Sequence, residues 1–135
     1  MTLSFTLLIA LACSGSAGTP DPEPAAARTQ APTDVTVAEL VTALGAGQVP
    51  LLLDVRTPDE FSAGHVANAV NVPVSELAGR LDELAEHRQD PIYVICHSGG
   101  RSARAAALLR DAGFEAPINV LGGTQAWIDA GHPVQ

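Results

Sequence analysis

Lysine is missing from this chain: all seven basic residues are arginines, set against 15 acidic ones for a formal net charge of -8. Such a balance excludes a nucleic-acid-coating role, because phosphates demand positive charge. Any anion site must be local, assembled from a few arginines and backbone N–H groups. Cysteine is scarce as well. Two cysteines in 135 residues, one of them near the start, make no disulfide framework. Charge of either sign is sparse, at 16% of residues against 47% hydrophobic, and that excludes a disordered chain. No internal repeat is visible. Membrane-length apolar runs are lacking too, since Met1 to Cys13, "MTLSFTLLIALAC", is too short to cross a hydrocarbon core of ~30 Å as a helix. The length suits one compact domain with a short tail.

The tail divides in two. Residues 1–12 read as an export signal, with Ala10 and Ala12 as the small residues a signal peptidase requires. Cys13, followed by Ser14-Gly15-Ser16, resembles a bacterial lipobox, which implies a lipid at Cys13 and membrane attachment. The expected location is the bacterial cell envelope, periplasmic or exported. Residues 13–33 carry four prolines among Ala, Gly, Ser and Thr and read as a disordered tether.

From residue 34 to 135 apolar runs alternate with helical patterns. Thr36-Val37-Ala38-Glu39 is a capping box ahead of Leu40, Val41 and Leu44, and Gly45 and Gly47 stop that helix. Leu51 to Val55 reads as a strand buried on both faces. Thr57-Pro58-Asp59-Glu60 opens a short helix that Gly64 ends. Val70 to Val72 is a short strand, and Ser75 is expected to cap a helix with Leu77, Leu81 and Leu84 on one face. Ile92 to Ile95 is a strand, Ser102 to Ala112 a helix, Ile118 to Leu121 a strand and Thr124 to Ala130 a helix. This alternation predicts an α/β fold, a mainly parallel sheet with helices on both faces. Ligands of such sheets bind beyond the carboxyl ends of the strands. Cys96 and Asp54-Val55-Arg56 both sit there.

The loop Cys96-His97-Ser98-Gly99-Gly100-Arg101-Ser102 has a definite chemistry. Two glycines let the backbone turn tightly and aim successive N–H groups inward. The following helix adds the positive end of its dipole. A thiol in that field is held toward its thiolate and becomes nucleophilic near neutral pH, and the same amides would hold a negatively charged product.

That loop resembles the active-site loop of the rhodanese-homology domains, single-domain sulfurtransferases. "LLLDVRTPDEFSAGHVANAVNVP" and "VLGGTQAWIDAGHPV" resemble the family's other landmarks, so the likeness covers residues 35–134. It implies a rhodanese-like fold and sulfur transfer in two steps. Cys96 would take a sulfane sulfur from a small anionic donor such as thiosulfate, then pass it to a thiol or protein sulfur acceptor. No cofactor and no metal are implied, and a monomer is expected. Backbone N–H groups of His97, Ser98, Gly99, Gly100, Arg101 and Ser102 would form the cradle. Arg101 would bind the donor's anionic part, with Arg56 at the mouth. Asp54 and Arg56 would also tie the neighbouring loop in place. Many thiosulfate-active relatives carry a basic residue, often arginine, directly after the cysteine, whereas His97 supplies that charge only when protonated. The departure points toward another donor. Glu60 completes a capping box, His65 reads as structural, Arg104 as rim or solvated charge, and Trp127 as a packing residue. Two other readings stand beside the transferase. A cysteine phosphatase or arsenate reductase is disfavoured by the four residues between Cys96 and Arg101, one fewer than such enzymes carry. A non-catalytic binding module is the other.

Overall fold

A computed structural model describes residues 31–135. The expected export signal, Cys13 and most of the tether lie outside these residues. The chain runs β1 (Asp34–Val35), α1 (Val37–Gly45), β2 (Leu51–Asp54), α2 (Pro58–Ala63), β3 (Val70–Asn71), two 3-10 turns (Leu77–Gly79 and Leu81–His87), β4 (Pro91–Ile95), α3 (Gly100–Asp111), β5 (Ala116–Val120) and α4 (Gly123–Asp129). The five strands form one sheet in the order β1-β5-β4-β2-β3, every pairing parallel. The expected α/β architecture is therefore present.

Alternation along the strands divides the core between the sheet's two faces. Leu51, Leu53, Ile92 and Val94 pack with Ala105, Ala106 and Leu109 of α3. Leu52, Ile95, Ile118 and Val120 pack on the other face with Leu40 of α1 and Trp127 of α4. Helices thus cover both faces, and all four residues of β2 are buried, as an unbroken apolar run requires. Trp127 has the packing role expected of it, with its indole N–H donating to the Pro133 carbonyl at 2.9 Å.

Four local expectations needed correction. Ser75 caps nothing: the Leu77–His87 stretch is two 3-10 turns without a side-chain cap. Arg80, at φ -121°, breaks the segment, and Leu81 and Leu84 share a face because a 3-10 helix repeats every three residues. The helix after Cys96 starts at Gly100, two residues before the expected Ser102, because Gly99 supplies a left-handed cap at φ 106°. β5 begins at Ala116 and so includes Pro117. The amides of Asn119 and Leu121 face β1, donating to the Thr33 and Val35 carbonyls. By alternation Pro117 faces the same side, at a level where the two-residue β1 offers no partner, so its missing N–H removes no ladder bond. β1 itself, two residues long, was not anticipated.

Candidate active site

β4 lies at the centre of the sheet, and Cys96 follows it directly. The loop Cys96–Gly99 then turns into α3, bringing the Gly99 N–H to 3.1 Å from Cys96 Sγ. Ser102 Oγ, in the first turn of α3, lies 3.3 Å from the sulfur. Two influences compete over the thiol. Burial pushes its pKa up, while the Ser102 hydroxyl, when its hydrogen is turned to the sulfur, and the backbone N–H groups of Ser102, Gly99 and Ser98 pull it down. Together the hydrogen bonds prevail and leave it below the ordinary cysteine value. Cys96 is only 1% exposed, so a donor reaches the sulfur only if neighbouring groups yield.

α4 holds the opposite sides of two peptides in this loop, those carrying the His97 and Ser98 amides, and Ser98 is one of the amides that act on the sulfur. Thr124 donates to the Cys96 carbonyl from both its N–H (2.8 Å) and its hydroxyl (3.1 Å), and the Gln125 N–H donates to the His97 carbonyl at 3.0 Å. In a planar trans peptide the C=O and N–H point in opposite directions, so fixing these carbonyls on α4 turns the His97 and Ser98 amides away from it. The close approach needs Gly123, at φ 59°, where a Cβ would run into the carbonyls of both Cys96 and His97. Sequence reasoning noted the Gly122-Gly123 pair but gave it, Thr124 and Gln125 no part in the site. The paired glycines before a helix were the available signal.

Arg101 projects from α3 to Glu60 of α2, with both terminal guanidinium nitrogens, Nη1 and Nη2, donating at 2.7 Å. The same carboxylate accepts from the Thr57 N–H and hydroxyl in the predicted capping box. Held by Arg101 first and by Thr57 second, and opposed by burial, the Glu60 carboxyl titrates at about 2. The link across 41 positions was invisible in the sequence, where the capping box already accounted for Glu60. An anionic donor must therefore share Arg101 with a carboxylate or displace it.

Arg56, 5% exposed, lies against Asp54 (Nη2 to Oδ2, 2.7 Å) and donates to the Gly64 carbonyl at 2.8 Å. Asn71 locks this corner, donating to the carbonyls of Asp54 and Arg56. The Arg56 guanidinium ties the loop in place, the second of the two roles expected of it. His65 is structural: its ring stacks on Phe61 at 3.7 Å, its Nδ1 lies 2.9 Å from the Phe61 carbonyl, and its backbone pairs with Gln135. His97, Ser98, Gly100 and Arg104 are exposed.

A second polar line reaches the sulfur from behind. Ser102 Oγ stands 2.6 Å from Asn119 Oδ1, and Asn119 Nδ2 donates to Asp34 Oδ1 at 3.0 Å. Asp34 and Asn119 are cross-strand partners in the β1–β5 register, so their side chains share a face. No sequence motif marked either residue.

The family model for the rhodanese-like domain matches residues 36–130. The Bacillus subtilis protein YrkF is 42% identical over 76 residues, covering 56% of this chain and 40% of that protein. Thiosulfate sulfurtransferase 16 of Arabidopsis thaliana is 41% identical over 93 residues, covering 62% of this chain and 78% of its own length. The chain thus spans between two-fifths and four-fifths of these relatives. Among solved structures, the rhodanese-related protein of Thermoplasma volcanium superimposes with a TM-score of 0.67 at 36% identity, over 76% of this chain and 96% of that one.

Proposed function

The chain belongs to the rhodanese-like family, and from that premise we propose that it is a sulfurtransferase working through a persulfide on Cys96. The Cys96 thiolate attacks the outer sulfur of a donor such as thiosulfate. The S–S bond of the donor breaks, sulfite leaves with the bonding electron pair, and a Cys96 persulfide remains. A thiol or protein cysteine then attacks the terminal sulfur, and Cys96 departs as thiolate with the pair it had shared. No electrons are gained or lost overall, so no redox partner is required.

The observation that carries this reading is the amide ring on the sulfur: Gly99 N–H at 3.1 Å, with the amides of Ser98 and Ser102 also acting on it. Such donors stabilise negative charge on the thiolate and on the persulfide that replaces it, so both steps pass through a favoured anion. Relatives named sulfurtransferases support sulfur transfer as the general activity. The exposed His97 and the Glu60-bound Arg101 weaken the case for thiosulfate as the favoured donor, since neither offers the site an uncompensated fixed charge. A less charged donor, a persulfide on a thiol or protein, suits that balance better. The non-catalytic module remains the second reading, favoured by the burial of Cys96.

Incubation with thiosulfate and cyanide separates the two. Thiocyanate should form, and Cys96 should gain the mass of one sulfur when cyanide is omitted. A Cys96→Ser protein retaining full activity, or a wild-type Cys96 that never gains sulfur from thiosulfate or from a low-molecular-weight persulfide, overturns the proposal.

A further inference from the structure

The Ser102 hydroxyl has one hydrogen and three acceptors within reach: Asn119 Oδ1 at 2.6 Å, Gly99 O at 3.1 Å and Cys96 Sγ at 3.3 Å. Which of them receives it follows from Asp34. A carboxylate is acceptor-only, so the Asn119 group beside Asp34 Oδ1 must be the NH2 and the group beside Ser102 must be the carbonyl oxygen. Thr33 holds the other Asp34 oxygen by a 3.0 Å hydroxyl bond. The shortest contact, to a carbonyl with no hydrogen of its own, takes the Ser102 hydrogen. What Ser102 then turns toward Cys96 is a lone pair, which accepts from the S–H and repels a thiolate.

The amides stabilise the thiolate in either case, but adding the Ser102 hydroxyl as a donor means swinging that hydrogen from Asn119 to the sulfur, leaving a carbonyl of a residue only 4% exposed without its donor. Asn119 and the sulfur compete for a single hydrogen. We propose that Asn119, oriented by Asp34, is a positioning residue that meters the thiolate on Cys96 by holding the Ser102 hydrogen. The idea rests on the sulfur-transfer reading of Cys96 and adds to it the control of the nucleophile's protonation. Other charges around the thiol are paired or exposed. Arg101 of α3 is bound to Glu60 of α2, Asp54 and Arg56 at the end of β2 are bound to each other, His97 of the loop is exposed, and α4 meets the loop through the uncharged Gly123, Thr124 and Gln125.

The test is the pH dependence of iodoacetamide alkylation of the full chain, followed by mass on the peptide bearing Cys96 so that Cys13 does not intrude. Asn119→Ala removes the nearer competing acceptor and leaves the Gly99 carbonyl, which already accepts from the Ala103 N–H, so the alkylation midpoint should fall by about one pH unit. Asp34→Ala frees the Asn119 amide to turn over and offer its NH2 to Ser102, which releases the hydroxyl hydrogen to the sulfur. It should lower the midpoint in the same direction, and because Asp34 is exposed it remains decisive if Asn119→Ala does not fold. Both shifts should vanish when Ser102→Ala is added, whereas a simple loss of negative charge at Asp34 would act equally with or without Ser102. Folded variants with an unmoved midpoint, or a shift that survives Ser102→Ala undiminished, overturn the relay. Alkylation needs no sulfur donor: an unmoved midpoint with intact thiocyanate formation defeats the relay alone, and a shifted midpoint without sulfur transfer defeats the transferase reading alone.

Discussion

The four α-helices begin in two different ways. α1 and α2 start at Thr36 and Thr57, each with a complete capping box closed by Glu39 and Glu60. α3 and α4 start at left-handed glycines, Gly99 and Gly122, with no side-chain cap. A capping box satisfies a helix's first amides with its own side chains and keeps other groups off. A glycine cap leaves those amides open. At α3 they face the Cys96 sulfur, and at α4 they hold the Cys96 and His97 carbonyls. Local closure therefore marks the helices whose first amides serve the fold alone, and local openness marks the two whose first amides build the site.

If that division is right, the largest loss comes from removing what the open ends serve. Cys96→Ser should reduce thiocyanate formation by roughly three orders of magnitude or more, with only a small change in thermal midpoint, because the loop and both glycine caps remain. A large loss of stability would mean that the thiol is a core residue first and a nucleophile second. Next in size is Gly123→Ala, which attacks α4's end of the arrangement. A methyl there strains a residue at φ 59° and pushes the carbonyls of Cys96 and His97 off α4. Misplacement of the loop by about 1 Å should cost roughly 10²-fold in kcat/KM, alongside a loss of about 1–2 kcal/mol from the left-handed backbone. Activity falling no further than stability explains would show that α4's grip does not aim the amides.

The closed ends should behave in the opposite way. Thr36→Ala removes the α1 cap, which accepts from the Glu39 N–H at 3.3 Å and shares Glu39 Oε2 with its own backbone N–H. Urea unfolding should show a loss of about 1 kcal/mol, with kcat/KM unchanged. A drop in activity would break the contrast, since no hydrogen bond links this cap to the Cys96 loop among the described residues.

The same division explains what was legible in advance. Both capping boxes and the β2 and β4 runs are local signals, each complete within a handful of neighbouring residues, and each was read correctly. The missed features are all meetings between distant segments. Glu60 with Arg101, Asn119 with Ser102 and Asp34, and Thr124 with the Cys96 carbonyl depend on strand order and register, which no short window contains. Ser75 failed for a different reason: it satisfies the cap rule, but Arg80 interrupts the segment and only 3-10 turns form. Arg101 shows the limit best. Its place in the loop was clear, and its partner was not.

α2 sharpens the comparison because its cap has one foot in each class. Glu60 closes the box on Thr57 and also reaches Arg101 of the open helix α3, so it joins a folding device to the site. Its carboxyl titrates at about 2 in the folded protein against an ordinary value of 4.5. A depressed folded-state value means that ionised Glu60 stabilises the fold above pH 4.5, and that this contribution fades as pH falls from 4.5 through 2. Glu60→Gln lacks it at every pH. With the Glu60 side chain 35% exposed, solvent screening keeps the difference at pH 7 below about 1 kcal/mol. Urea midpoints of wild type and Glu60→Gln should thus differ most near neutrality and converge toward pH 2. Parallel curves across that range would mean that the Arg101 contact adds nothing to α2's cap, and that α2 belongs wholly with α1.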